Sequence, residues 1–362
     1  YSLLMKVCFL SGPALGHLGR LFEVALALRN YTEADIHFVL PAMGADKESQ
    51  ILEGVFEFTS LPVVGASGIE RSVKYADTLE CHFRGHRYDV IVQDFNPFIW
   101  APFVRFPDCP RVIVTNVFLT SVHAARTVQV ESFAQSRDVI NRIRHDRGLP
   151  AVSSAYDFYQ ADRVLLADPL PIVRSAANAL PAHYIPVGHW CWDAGGAIPP
   201  ELVDQDDMLL LSMGSTGLDS IDGNILEKLA AAFSSRLVVY AGNQAESMAG
   251  VPGVDYAYRR LPLTRLLNKS TVVVSQGGAG SSYQALASGT PVVVFPNHQN
   301  HRVLGELLEK LGLGLCIEDS LALERFAFDD IRRIVERVQA LAVEISGERG
   351  AARSAEEVLG LL

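Results

Sequence analysis

An apolar strand passes directly into a glycine-rich turn in the second half of the chain, where the sequence reads Val272-Val-Val-Ser-Gln-Gly-Gly-Ala-Gly-Ser-Ser282. Small residues let the backbone approach a ligand closely, and the free N–H groups at the start of a helix attract anions. The alternative is a tight loop that serves only packing, but such a loop does not require two glycines followed by Ala-Gly-Ser-Ser. We therefore expect this turn to bind phosphate.

A second turn of this kind lies near the N-terminus, in the sequence Phe9-Leu-Ser-Gly-Pro-Ala-Leu-Gly-His-Leu-Gly-Arg20. It contains His17, a side chain that titrates near neutral pH and can accept a proton from a substrate. A lone histidine in a turn is more often buried or capping a helix, so spacing alone leaves both roles open. We expect Gly12 and Gly16 to shape this turn, with chemistry here and binding at the later turn.

Short β-branched segments alternate with longer helical patterns, which is typical of parallel sheets in α/β layers. The predicted strands cover residues 6–10, 35–40, 89–92, 111–114, 163–166, 208–212, 236–241, 271–275 and 291–295. Helices are expected near residues 222–233, 262–268, 280–288 and 300–311. A segment rich in Gly and Pro separates the first five predicted strands from the last four. We predict a first domain at 1–188, a linker at 189–200, a second domain at 201–345, and a helix within 346–362 that packs back on the first domain.

The composition restricts the class of protein. A chain of 362 residues is long enough for two domains that each bury a core. Its 31 Lys and Arg stand against 41 Asp and Glu, and the resulting net charge of −10 disfavours nucleic acid as a partner. The five scattered cysteines fit reduced thiols, and no apolar run has the length of a membrane helix or the pattern of a signal peptide. We expect a cytoplasmic protein without a transmembrane segment.

The segment from Ser275 to Pro296 resembles, without a gap, the donor signature of inverting GT-B glycosyltransferases, the relatives of UDP-glycosyltransferases and antibiotic glycosyltransferases. That signature is His-x-Gly-x-x-Ser, a Glu three residues on, Gly-x-Pro and a further Pro. Residues 209–216 resemble the strand and turn that meet the sugar diphosphate, and residues 260–267 resemble the base-binding loop. The resemblance implies an α/β protein of the GT-B fold, with two Rossmann-like domains and mainly parallel sheets that face each other across a cleft.

The first half of the chain resembles the same family in two places. Gly16-His17 is similar to the Gly-His turn in which the histidine is the catalytic base. Residues 88–94 are similar to the strand whose closing aspartate, here Asp94, orients that base. Asp94 also suits a plain helix cap, although the carboxyl end of a strand is where ligands bind in open α/β sheets. The resemblance implies that His17 and Asp94 are catalytic.

The donor site implied by the resemblance lies in the second half of the chain. Its residues are Ser215, Thr216, Arg260, Leu261, Gln276, Gly277, Gly278, Ala279, Gly280, Ser281, Gln284, His298 and Gln299. Three of these positions depart from the family: Gln276 replaces the phosphate-binding histidine, Gln284 replaces the ribose-binding glutamate, and Arg260 replaces the base-stacking aromatic. The acidic-Gln pair that contacts sugar hydroxyls corresponds to His298-Gln299 after a two-residue deletion, or to Asn300-His301 without one.

The sequence argues against a dinucleotide and a metal ion as ligands. Gly12, Gly16 and Gly19 do not form the Gly-x-Gly-x-x-Gly of a dinucleotide site. Cys81-His82 with His86, and His189 with Cys191, suggest metal ligands, but Gly85 interrupts a helical face and no fourth ligand is in view. We expect no metal and no cofactor. Arginines at 126, 137, 142, 144 and 147 are typical of a solvated helix face, with an acidic acceptor or a membrane surface as the alternative.

Three functions remain open at this stage. The first is an inverting, metal-independent hexosyltransferase that moves a sugar from a UDP- or dTDP-sugar to the hydroxyl of a small molecule, glycan or lipid. The second follows from the sequence Gly16-His-Leu-Gly-Arg20, which is similar to the Gly-His-x-x-Arg turn of GT-B hydrolases that release free sugar from UDP-sugars. The third is a sugar-nucleotide-binding protein without catalysis, which the neutral amides of Gln276 and Gln284 would fit. Activity with a donor, measured with and without acceptor, separates them.

Overall fold

The computed structural model describes residues 4–12, 14–42, 51–65, 68–94, 101–123, 125, 127–193, 195–213, 227–229, 231, 238–242, 245–318 and 328–362. The chain divides into two compact units. The first contains Tyr1–Asp168, Ala177–Gly188 and Arg349–Leu362, and the second contains Pro169–Ala176 and His189–Glu348.

The first unit is built on a parallel sheet of seven strands in the order β3-β2-β1-β4-β5-β6-β7. These strands are β1 Met5–Ser11, β2 Ala34–Ala42, β3 Glu57–Pro62, β4 Val90–Asp94, β5 Arg111–Thr115, β6 Arg163–Leu166 and β7 Tyr184–Pro186. The helices with them are α1 Leu15–Tyr31, α2 Gly68–Gly85 and α3 Val128–Asp146, with short 3-10 turns at Ala101–Phe103, Val117–Leu119 and Ala155–Tyr159. The central strands, such as β1 and β4, have interiors that are mainly apolar and buried on both faces, as is typical of parallel sheets.

The second unit is built on a parallel sheet of six strands in the order β10-β9-β8-β11-β12-β13. Its strands are β8 Met208–Ser212, β9 Val238–Ala241, β10 Tyr256–Tyr258, β11 Ser270–Ser275, β12 Val292–Val294 and β13 Gly314–Cys316. Its helices are α4 Leu170–Ala176, α5 Pro200–Val203, α6 Ala245–Met248, α7 Leu263–Leu267, α8 Ala279–Ala287, α9 Gln299–Lys310 and α10 Phe328–Ile345. The final helix, α11 Gly350–Leu359, belongs to the first unit.

The predicted α/β architecture with parallel sheets is confirmed. Each predicted strand corresponds to an observed one, and the predicted helices at 262–268, 280–288 and 300–311 correspond to α7, α8 and α9. Most of the helix expected at 222–233 lies outside the described residues. Four strands, β3, β7, β10 and β13, were not expected. All four stand at the edge of a sheet, where a strand is short or half exposed and its apolar pattern is weak.

The units differ from the expected domains in two segments. Residues Pro169–Ala176 lie within the expected first domain but belong to the second unit, because the Leu170 N–H donates to the Glu348 carboxylate at 2.8 Å and Arg174 pairs with Glu344. The expected linker, residues 189–200, also belongs to the second unit. It is fastened there by the His189 N–H, which donates to Glu348 at 2.8 Å, among other contacts.

Both sheets share one feature that positions ligands. Strand order reverses between β1 and β4 in the first unit, and between β8 and β11 in the second, so the loops that follow these strands diverge and leave a crevice. Ser11 is in register with Asp94 in the first sheet, and Ser212 is in register with Ser275 in the second. Both glycine-rich turns therefore start at a point where α/β sheets bind ligands. Among the described residues, no helix is long and apolar enough to cross a membrane.

Candidate active site and anion-binding turn

The first candidate site lies where β1 and β4 end. The Gly12 N–H donates to the carbonyl of Asp94 at 3.2 Å, which ties the first turn to the end of β4. Helix α1 starts at Leu15, so His17 stands in its first turn, directly after Gly16. A Cβ atom built on Gly16 would meet no atom within 4 Å, so the backbone there is open to an approaching molecule.

The structure brings His17 and Asp94 into direct contact. The distance from His17 Nδ1 to Asp94 Oδ1 is 3.1 Å. Asp94 is 3% exposed, whereas 37% of the His17 side chain is exposed. An ionised carboxylate can only accept, so Nδ1 carries the hydrogen in this pair and the neutral ring keeps its lone pair on Nε2. A buried carboxylate thus holds a partly exposed imidazole in the tautomer that can accept a proton from a substrate.

Arg20, which the sequence places in the Gly-His-x-x-Arg turn, extends this pair into a chain of contacts together with two residues that sequence reasoning did not select. Arg20 Nε lies 2.9 Å from Asp94 Oδ2, and Arg20 Nη1 donates to Asn116 Oδ1 at 3.1 Å. Asn116 Nδ2 donates to Asp168 Oδ1 at 3.1 Å. Asn116 directly follows β5 and Asp168 follows β6 by two residues, so polar residues just after buried parallel strands were the signal that could have found them.

The second candidate site is the turn between β11 and α8, and its shape depends on Gly277. This residue has φ of +97°, and a Cβ atom there would lie 2.8 Å from Val294 Cγ1 and 2.9 Å from the His301 carbonyl oxygen. Gly278 then caps α8 in an extended conformation, without a side chain that bonds to the first turn. The N–H groups of the first turn of a helix have no partner within the helix, so this terminus attracts anions.

The side chain of Gln276 is held beside this turn. It is buried, and its Oε1 accepts a hydrogen bond from Asn297 Nδ2 at 3.0 Å. The Asn297 Oδ1 in turn contacts His301 Nδ1. Burial, together with the neighbouring ring of His298, lowers the pKa of His301 to about 3, so the ring is neutral at neutral pH. With Oε1 engaged by Asn297, the NH₂ end of Gln276 is left to donate elsewhere.

The other predicted donor residues are placed as follows. Gln284 is buried in α8, and its Nε2 donates to the Trp192 carbonyl, which occupies one of its two N–H groups. Leu261 is buried and Arg260 is exposed. His298 caps α9, which begins at Gln299, and its ring lies 3.6 Å from that of His301. Ala279, Gly280 and Ser281 form the first turn of α8. Ser215 and Thr216 lie outside the described residues.

Two structural details bear on the alternatives considered from the sequence. His82 Nε2 contacts the Tyr88 hydroxyl at 2.8 Å and its ring stacks on His86, and burial lowers the pKa of His82 to about 4. No group of three or more His, Cys, Asp or Glu within the described ranges is arranged to hold a metal ion.

In the segment rich in arginine, Arg144 donates to the carbonyls of Pro102 and Pro150, and Arg147 pairs with Asp77 and Glu80. These two side chains hold α3 in place.

The comparisons with known proteins support a glycosyltransferase. The family model for the "Erythromycin biosynthesis protein CIII-like, C-terminal domain" matches residues 224–360. The chain is 27% identical over 241 residues to O-mycaminosyltylonolide 6-deoxyallosyltransferase of Streptomyces fradiae, a match that covers 61% of this chain and 55% of that protein. It is 26% identical over 355 residues to the PGL/p-HBAD biosynthesis glycosyltransferase of Mycobacterium tuberculosis (strain ATCC 25177 / H37Ra), covering 94% of this chain and 73% of that protein.

Solved structures of the same architecture are similar over nearly the full chain. The glycosyltransferase of kitacinnamycin has a TM-score of 0.72 at 17% identity, and the match covers 99% of both chains. The calicheamicin glycosyltransferase CalG4 has a TM-score of 0.71 at 19% identity and covers 99% of this chain and 98% of its own. At this identity the likeness shows the fold, while the sequence relatives indicate the class of enzyme. The chain therefore has the fold of the GT-B glycosyltransferases, and the sequence relatives that it matches are glycosyltransferases.

Proposed function

We propose that the protein transfers a sugar from a nucleotide-diphosphate sugar to an acceptor hydroxyl, with inversion at the anomeric carbon and with His17 as the general base. The observation that carries this proposal is the contact between His17 and the buried Asp94 at the end of β4. A base must be partly exposed to reach a substrate, and its partner must be fixed to hold one tautomer. His17 and Asp94 meet both conditions.

The proton and the electron pairs follow a simple path. His17 Nε2 takes the proton of the acceptor hydroxyl as that oxygen forms a bond to the anomeric carbon from the face opposite the leaving group. The bond from the anomeric carbon to the diphosphate oxygen breaks, and the nucleoside diphosphate leaves with the electron pair. Asp94 stabilises the imidazolium that results, because its Oδ1 already accepts from Nδ1.

The donor is assigned to the second unit. Charge that grows on the leaving diphosphate would be met by the N–H groups from Gly277 to Ser281 and by the NH₂ end of Gln276. We propose that Ser215 and Thr216, which follow β8 in the sequence, add hydroxyl contacts to the diphosphate. These neutral groups can stabilise the diphosphate without a metal ion, so we propose a metal-independent reaction.

The sugar and the acceptor are proposed more broadly. Relatives include a 6-deoxyallosyltransferase and, in Mycobacterium bovis (strain BCG / Pasteur 1173P2), a PGL/p-HBAD biosynthesis rhamnosyltransferase. Both names refer to deoxysugars. We propose a UDP- or dTDP-sugar as donor, with Arg260 and Leu261 near the base, Gln284 near the ribose, and His298 and Gln299 near the sugar. A small molecule, glycan or lipid with a free hydroxyl is the acceptor class.

A donor and acceptor screen tests this function. Nucleotide release is measured for UDP- and dTDP-sugars, with and without a panel of hydroxylated acceptors, and with and without EDTA. Transfer predicts that release rises many-fold with one class of acceptor, that a glycoside forms in equal amount, and that EDTA changes neither. Full-rate release in buffer alone, with one free sugar per nucleotide, would indicate a hydrolase instead. Donor binding without release under any condition would indicate a binding protein, and loss of activity in EDTA that Mg²⁺ or Mn²⁺ restores would contradict metal independence.

A further inference from the structure

Arg20 has no role in the reaction proposed above, yet it is bound to the same carboxylate as His17. Its Nε lies 2.9 Å from Asp94 Oδ2, on the opposite carboxylate oxygen from the one that meets His17. The Arg20 side chain is 17% exposed. Asp94 therefore stands between two partners, of which one is permanently cationic and the other becomes cationic only when it takes up a proton.

The far end of Arg20 is fixed by a second set of buried groups. Its Nη1 donates to Asn116 Oδ1, and the amide of Asn116 cannot be reversed because its Nδ2 faces the acceptor oxygens of Asp168 and of the Ala167 carbonyl. The Asp168 carboxylate is itself fixed, since Oδ2 accepts from the Val117 N–H at 2.7 Å. Asn116 and Asp168 are both fully or almost fully buried. The guanidinium is thus held in one position by residues from the ends of β5 and β6.

Stability alone does not explain this arrangement. Burying charged groups costs solvation free energy, and apolar side chains of similar volume are often equally stable or more stable. The chain connects three charged side chains and one amide to a single partly exposed imidazole. That connection points to a function exerted through His17.

Asp94 and Arg20 have opposite effects on the protonation of His17. The negative charge of Asp94 favours the imidazolium form of His17, whereas the positive charge of Arg20 on the same carboxylate offsets part of that effect. Two further titratable groups belong to the same surroundings: Asp168 lies beyond Asn116, and Tyr159 is buried with its pKa raised, first by burial and also by the charge of Asp94. Arg20 should therefore keep His17 neutral, and able to accept a proton, at a lower pH than Asp94 alone would allow.

We propose that Arg20, anchored by Asn116 and Asp168, is a positioning residue that fixes the Asp94 carboxylate and keeps His17 in its neutral form. This inference rests on the proposed role of His17 as the general base. It adds a second partner to the His17–Asp94 pair and assigns a function to the buried polar residues that follow β5 and β6.

The test measures the titration of His17 itself by NMR on protein with labelled histidine, next to the pH profile of kcat/KM. In Arg20→Met, the midpoint of the His17 titration and the acid limb of kcat/KM should both move to higher pH, because the like charge of Arg20 disfavours the imidazolium and its removal leaves the charge of Asp94 unopposed. Arg20→Gln removes the charge but keeps a polar side chain at this position, and it provides the same test if Arg20→Met does not fold. Arg20→Lys should restore the wild-type midpoint.

Arg29 provides the matched control, since it lies in the last turn of the same helix and donates to the Val55 carbonyl instead. Arg29→Met should leave the titration of His17 unchanged. If the midpoint of His17 stays in place or falls in Arg20→Gln, the proposal is wrong and Arg20 has only a structural role. If the NMR midpoint rises but His17→Ala retains wild-type turnover, the electrostatic inference stands and the role of His17 as the base fails. The two failures are therefore distinguishable.

Discussion

At the scale of single residues, the two glycine-rich turns differ in what makes glycine necessary. Gly277 has a positive φ and is enclosed by Val294 and by the backbone of His301, so the fold itself excludes a side chain. Gly16 and Gly280 have open space where a Cβ would stand. Packing does not require glycine at these two positions, and the absence of a side chain leaves the backbone open to a ligand. The three glycines look alike in the sequence, and only the structure distinguishes the one that packing requires from the two that it does not.

Gly277→Ala is expected to destabilise the second unit. The substitution places a Cβ against backbone and forces a non-glycine residue to a positive φ, which together cost about 2 kcal/mol or more. Gly280→Ala is the matched control in the next turn, where the added methyl meets no atom within 4 Å. Denaturant unfolding of both variants measures the difference. Equal stability of the two variants would contradict this assignment of the enclosed turn.

At the residue scale, the sequence pointed to positions whose local pattern resembles a known family. His17 and Asp94 were selected because a Gly-His turn and a strand that closes with an aspartate match that family, and the structure places the two side chains in contact. Asn116 and Asp168 were missed because each is an ordinary polar residue after a strand, and the contacts from Arg20 to Asn116 and from Asn116 to Asp168 depend on how distant segments pack. Long-range contacts of this kind leave no local pattern.

At the scale of elements, the buried strands were predicted and the edge strands were not. Strands such as β4 and β11 could be predicted because burial on both faces of the sheet requires a continuous series of apolar, β-branched residues. Edge strands such as β10 and β13 each pair with only one neighbouring strand. They are identified by backbone hydrogen bonds and not by a pattern of apolar side chains. The segment 189–200 was predicted as a linker from its Gly and Pro content, which reveals turns but not the contacts that hold them.

Glu348, which follows α10, holds several of these elements together. Its carboxylate accepts from the N–H groups of Leu170 and His189 and lies 2.9 Å from His189 Nδ1. Burial opposes the negative charge, but the hydrogen bonds from His189 and Leu170 outweigh it and lower the pKa of Glu348 below its ordinary value. Because the pKa is lower in the folded state, this stabilisation is fully present above the ordinary glutamate pKa and is lost as the pH falls through the folded value.

Glu348→Gln is expected to lower the free energy of unfolding by about 1.5 to 3 kcal/mol at pH 7, since hydrogen bonds from Leu170 and His189 to a buried carboxylate are replaced by contacts to a neutral amide. The difference from wild type should stay constant down to about pH 5 and shrink below about pH 4, near the ordinary pKa of glutamate. Glu344→Gln is the control, because its pair with Arg174 is more than half exposed and should contribute little. Thermal unfolding of the three proteins from pH 7 to pH 3 measures the effect. A gap that does not change with pH would show that the charge of Glu348 is not its source.

At the scale of the whole molecule, the two units share one strand order but place different residues at the same point of the sheet. Each starts a glycine-rich turn at the point where its strand order reverses, yet one turn carries a paired histidine and the other carries an enclosed glycine and the start of a helix. The proposal of chemistry in the first half of the chain and phosphate binding in the second rests on this placement of residues. Sugar identity and acceptor identity depend on contacts that no short pattern encodes.

The role of His17 as the general base is tested most directly by His17→Ala, with turnover and donor affinity measured on the same protein. The account predicts that turnover with the best donor and acceptor falls by about 10² to 10⁴-fold, because a positioned base contributes that much, while donor affinity measured by calorimetry barely changes. Asp94→Asn should cost somewhat less, since the amide still contacts the ring but no longer stabilises its charge. Turnover of His17→Ala within threefold of wild type, or a loss that follows equally from weaker donor binding, would contradict the account.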